Sequence, residues 1–136
     1  MDLSGINWLA VLASGFASWI IGAIWYSPPL FGETWKKELG FTTEYLQSGN
    51  MLKIFGSSLV MMLIMAFGMA MFFQGGEEVN WQSGMMYGAM TGIFFVGTSI
   101  AINYLYQRRS FKLWLIDGLY QIIMLTVMGL IIGAWH

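Results

Sequence analysis

The chain has 136 residues, of which 57% are hydrophobic and 10% charged, with a formal net charge of -1. A soluble domain carries about 25% charged residues, so water is excluded as the main solvent, and the near-neutral balance offers nucleic acid no electrostatic attraction. The absence of Cys excludes disulfides, thiolate metal sites and cysteine nucleophiles.

The stretch Leu3 to Gly32 carries no charge and predicts a first span over about residues 6–26, the length a hydrocarbon core of about 30 Å requires. A cleaved secretory signal has a positive region ahead of its apolar stretch, whereas Met1 is followed here by Asp2 and no base, so this span is expected to be retained. Pro28 lacks an amide donor and disfavours the α region for Ser27, which ends the helix. Beyond Pro28-Pro29, Phe31, Trp35 and Leu39 recur every four residues while Glu33, Lys36 and Lys37 point elsewhere. That pattern predicts a short amphipathic helix in the headgroup layer, within an interfacial segment over about residues 31–47. Gly40 is its expected stop, and Thr42 or Thr43 is expected to cap one further turn.

A second span is predicted over about residues 51–73, after the Ser48-Gly49-Asn50 break. The connection Gln74 to Gln82 holds Gly75-Gly76, the acidic pair Glu77-Glu78 and Trp81, with no base. A third span follows over about 83–106, then the polar turn Gln107 to Lys112, then a fourth span over about 113–135, leaving His136 solvated at the terminus. All six Lys and Arg lie in the loops after spans one and three or at their edges: Lys36, Lys37, Lys53, Arg108, Arg109 and Lys112. By the positive-inside rule both termini face outside. Trp25 and Trp81 sit at span ends and Trp35 on the interfacial helix, where indole rings anchor at the membrane interface. The expected fold is a single-domain, all-α, four-helix integral membrane bundle, N-out and C-out.

Helices in lipid gain little hydrophobic energy from meeting, so small and polar stripes mark their contacts. Gly84, Gly88 and Gly92 are spaced four apart on span three, and at about 3.6 residues per turn the same face continues through Phe95, Ser99 and Asn103. Ser14, Ser18 and Gly22 share a face of span one with Asn7 and Val11, and Gly129 and Gly133 lie at the far end of span four. Tight helix packing accounts for these residues.

Asp117 is the one acidic residue inside a span, where an ionisable group is expensive. It lies about four residues past the predicted start of span four, or about 6 Å of rise, at a depth shared by Asn103, Tyr26, Trp25 and Lys53. Tyr120 and Gln121 follow one turn later on much the same face. Three readings stand: Asp117 pairs with Lys53 or Arg108 and fixes the bundle, it forms a proton, ion or substrate site, or it snorkels to solvent. The twelve Met residues are read as apolar filler. One terminal His without neighbouring ligands makes no metal site, and neither a catalytic motif nor a cofactor signature occurs.

The elements Ile6-Asn7-Trp8-Leu9-Ala10, Gly22-Ala23-Ile24-Trp25-Tyr26-Ser27-Pro28, Phe31-Gly32-x-x-Trp35 and Ile116-Asp117-Gly118-x-Tyr120-Gln121 carry a likeness. The chain resembles the small bacterial membrane proteins grouped as the domain-of-unknown-function family numbered 1761. The resemblance covers nearly the whole chain and implies a compact four-span protein of the bacterial inner membrane. It brings no catalytic residues.

The expected role is that of a structural or accessory membrane subunit, not an enzyme, whose partners are lipids and either further copies of itself or a larger membrane complex. The alternative is a small parallel-oligomer channel or transporter, its path lined by Asn103, Asp117, Tyr120 and Gln121.

Overall fold

The computed structural model describes residues 2–76 and 78–135; the readings placed above on Met1, Glu77 and His136 lie outside them. Among these residues every regular element is helical: α1 (Trp8–Trp25), α2 (Gly32–Leu39), α3 (Thr43–Gln47), α4 (Met51–Gln74), α5 (Trp81–Thr91), a π-helical stretch (Gly92–Gly97), α6 (Thr98–Tyr106) and α7 (Phe111–Ala134). Four rods are long and apolar enough to cross a membrane: α1, α4, the continuous Trp81–Tyr106 and α7, of 18, 24, 26 and 24 residues. Their rise is roughly 27 to 39 Å, against about 30 Å of hydrocarbon. The protein is an all-α, multi-pass membrane protein.

Each rod begins at a polar cap, because a helix start leaves amides that lipid cannot satisfy. The Asn7 side chain accepts from the Leu9 and Ala10 amides, Asn50 from Lys53, and Ser110 from Leu113. Asn80 and Ser83 form a reciprocal capping box at the start of α5. Gly40 ends α2 in the left-handed conformation, with φ of 72°.

Helix α7 is the centre of the packing. Leu113, Met124, Leu125 and Met128 are almost wholly buried. Its most extensive neighbour is α5, followed by α1, while α4 leans chiefly on α1. The α5 contact rests on glycine at both sides. A Cβ on Gly84 would stand 2.2 Å from the Gly129 carbonyl oxygen, one on Gly88 2.1 Å from that of Leu125, and one on Gly133 2.4 Å from that of Asn80. No side chain fits at those distances, so the two backbones approach as closely as their own atoms permit. On α1, Ser14 and Ser18 are fully buried, and Gly22 leaves the space taken by the Tyr120 hydroxyl, 2.6 Å from where its Cβ would lie.

The π-helical stretch departs from the expected course of the third span. Gly92 and Gly97, five residues apart, both face inward, and a Cβ on Gly92 would come within 2.8 Å of the Ile122 Cα. The extra residue in this turn advances the buried face by one position. The glycine face therefore continues through Gly97, Ile100, Ala101 and Tyr104, whereas Phe95, Ser99 and Asn103 are exposed. Trp114 fastens the stretch by donating its indole N–H to the Gly97 carbonyl at 2.9 Å.

Helix α4 is unevenly covered. Ala66, Met69 and Ala70 are buried toward its C-terminal end, but every residue from Met51 to Ser57 is exposed. Between the C-terminal half of α4 and the facing part of α5 lies a crevice of about 700 Å³, reaching Leu125 of α7.

Candidate functional site

Asp117 stands six residues into α7, roughly 9 Å of rise from its start. Both of its carboxyl oxygens are occupied: the Tyr26 hydroxyl donates to one and the Tyr104 hydroxyl to the other. One carboxyl thus links the end of α1, the end of α6 and the start of α7. The neighbouring Trp25 reinforces the junction, its indole N–H donating to the Ile116 carbonyl at 3.0 Å. Pro28 follows the end of α1, and the chain turns at Ser27, where the Phe31 amide donates to the Trp25 carbonyl and the Gly32 amide to the Ser27 carbonyl, folding the end of α1 onto the start of α2. Gly32 makes that turn possible: a Cβ on it would lie 2.3 Å from the Tyr26 carbonyl oxygen.

An aromatic chain runs from the site toward the interfacial helix. The ring of Tyr26 meets Tyr120 edge-on at 5.3 Å and Trp35 at 5.6 Å, and Trp35 meets Phe41 at 5.9 Å. Tyr120 donates its hydroxyl to the Ser18 carbonyl at 3.3 Å, in the space beside Gly22. At the same end, Ser110 donates to Glu38 of α2 at 2.7 Å, which brings the two basic loops together.

Of the residues anticipated for a polar cluster, Asp117, Tyr26 and Tyr120 gather at one junction. Gln121 lies beside it in sequence, with a buried side-chain oxygen that has no hydrogen-bond partner. Asn103 and Lys53 are exposed and make no part of it. Asn103 is displaced by the one-residue advance of the π-helical stretch, which puts Tyr104 in its place; Lys53 is displaced because the start of α4 stands clear of the bundle. Arg108 does not pair with Asp117 either. Among the described residues the ion pair present is Lys36 with Glu33, at 3.2 Å. Tyr104 was not legible as a site residue, because helical spacing alone places it one position off the glycine face. Trp81 is exposed at the start of α5, whereas Trp25 and Trp35 are partly buried in the aromatic junction.

A carboxyl within a span is tolerated when its oxygens are hydrogen-bonded, and two phenols supply those bonds here. Such a group can hold three helices in register or share a proton with a phenol oxygen. Among the described residues no group of three or more His, Asp or Glu gathers to hold a metal ion.

Residues 9–133 match the family model described as "Protein of unknown function (DUF1761)". No curated protein and no solved structure matches the chain.

Proposed function

The chain belongs to the DUF1761 family over residues 9–133, and we propose that it is a non-enzymatic accessory or structural subunit of the bacterial inner membrane. In this reading it works through helix–helix contacts, in a homo-oligomer or a larger membrane complex, with both termini outside. The observation that carries it is the unpartnered start of α4. Met51 to Ser57 are exposed all round, and on the outward face Gly56 is followed by the exposed Val60 and Ile64. A Cβ on Gly56 would meet nothing within 4 Å, so the helix offers a small residue to an incoming backbone. Gly84 and Gly88 of α5 and Gly129 of α7, by contrast, already lie against the facing helix within one protomer.

The polar groups of the junction also favour a structural role, since both oxygens of Asp117 have internal donors. The orientation rests on all six Lys and Arg, which flank the loops gathered at the Glu38–Ser110 end. Native mass spectrometry of the gently extracted protein tests the subunit reading. A fixed number of copies or a co-purifying membrane partner, lost in Gly56→Leu, supports it; a wild-type monomer without partner contradicts it.

A second reading, a parallel-oligomer channel or transporter at Asp117, is favoured by the unpartnered, buried oxygen of Gln121 one turn away. Asp117→Asn separates the two. Loss of flux in proteoliposomes with assembly intact supports transport, and unchanged flux with weakened assembly supports the structural junction.

A further inference from the structure

The crevice between α4 and α5 has no part in the Asp117 junction or in the exposed start of α4. Its volume is about 700 Å³, and its walls are Met65, Met69, Phe72 and Phe73 on one side and Tyr87 and Phe95 among those on the other. Thr91 also lines it, but its hydroxyl already donates to the Tyr87 carbonyl at 2.8 Å. The wall thus presents hydrocarbon and aromatic surface. Pockets of roughly 300 to 1,000 Å³ enclose small ligands. The crevice is of a size to take a single flexible hydrocarbon chain.

In a membrane an apolar crevice left empty forfeits the van der Waals contacts of its lining, so hydrocarbon fills it. Filling it gains no hydrophobic energy over the bilayer itself, and selectivity must come from the head of the molecule. The crevice reaches Gly76 and Val79 in the loop joining α4 to α5. Between them the sequence carries Glu77 and Glu78, and no Lys or Arg occurs anywhere from Ile54 to Gln107. An anionic head has no counter-charge there, while an ammonium has the Glu78 carboxylate to meet.

We propose that this crevice is a binding site for one acyl chain of an ammonium-headed phospholipid, the chain running between α4 and α5 and the head lying at the Glu78 loop. The chain is drawn from the bilayer, so the site acts within the membrane whatever the number of copies assembled. Gly68 lines the crevice, and a Cβ there would meet nothing within 4 Å. A larger side chain at this position fills the ligand's space without striking the fold.

The test is native mass spectrometry of protein from nanodiscs containing equal phosphatidylethanolamine and phosphatidylglycerol. Wild-type protein is expected to retain phosphatidylethanolamine after the bulk lipid is stripped. Gly68→Leu is expected to lose it with its copy number unchanged, and Thr91→Leu, narrowing the opposite wall, gives a second measure of the same loss. Glu78→Gln is expected to retain lipid but lose the preference between heads. Gly56→Leu separates this site from the proposed subunit contact, because it should alter assembly and leave lipid retention alone. Retention of phosphatidylglycerol in preference, undiminished lipid in both crevice variants, or a change of copy number in Gly68→Leu without loss of lipid overturns the proposal.

Discussion

Replacing Gly88 by Ala is the smallest change that strikes the centre of the bundle. The added Cβ would lie 2.1 Å from the Leu125 carbonyl oxygen and 2.8 Å from its carbon, so α5 and α7 must separate by about 1 Å to restore an ordinary contact. A gap of that size forfeits a quarter to a half of each dispersion contact, individually about 0.1–0.2 kcal/mol. Over roughly 30 atom pairs, this amounts to about 2 kcal/mol. Overpacking strain adds about 1–3 kcal/mol, and the better helix propensity of Ala returns at most about 1 kcal/mol. We expect a net loss of about 2–4 kcal/mol. Gly68→Ala, where the new Cβ meets nothing within 4 Å, is the matched control and should be neutral or slightly stabilising. Reversible unfolding in mixed micelles of mild detergent and dodecyl sulfate measures both. Equal stability of Gly88→Ala and Gly68→Ala would refute the close-contact argument.

Further predictions concern the junction around Asp117. Asp117→Ala leaves two phenols without their acceptor and should destabilise by about 2–4 kcal/mol, whereas Asp117→Asn keeps an acceptor and should cost about half as much, by the same unfolding assay. Tyr26→Ala should cost more than Tyr104→Ala, because it removes a ring that joins two aromatic contacts as well as a hydrogen bond to Asp117; a reversed order argues against the aromatic chain as part of the junction. Gly22→Ala should drive the Tyr120 hydroxyl from its place and cost about 1–3 kcal/mol. Tyr120→Phe should recover part of that loss, so a double-mutant cycle with no coupling between the two positions contradicts this contact. Trp114→Phe frees the Gly97 carbonyl and should cost about 1–2 kcal/mol, with faster amide exchange confined to residues around the π-helical stretch.

The four membrane helices were legible because uncharged runs of sufficient length leave few alternatives, and Asn7, Asn50, Asn80 and Ser110 mark their starts in the chain. The amphipathic helix after Pro28-Pro29 was legible from the four-residue recurrence of Phe31, Trp35 and Leu39. What sequence periodicity did not reveal was the register change at Gly92–Gly97. Spacing arithmetic assumes 3.6 residues per turn throughout, so it carried Asn103 inward and left Tyr104 aside. The pair of glycines five apart is the one local trace of that change, and it becomes interpretable only against the close approach of α7 at Ile122. Lys53 shows a different limit. Its depth along α4 matched that of Asp117, but depth does not fix lateral position, and the start of α4 stands away from the other helices. The partners of Asp117 are likewise two neutral phenols rather than a base, a choice that charge counting does not anticipate.

In the proposed function, the outward face at the start of α4 is a contact surface for another transmembrane chain. The chain contains no Cys, so single-cysteine variants are clean probes. Gly56→Cys and Val60→Cys should cross-link in native membranes, to a second copy or to a distinct partner, far more efficiently than Phe94→Cys on the exposed surface of the π-helical stretch. Cross-linking no greater at Gly56 and Val60 than at Phe94 would contradict the claim.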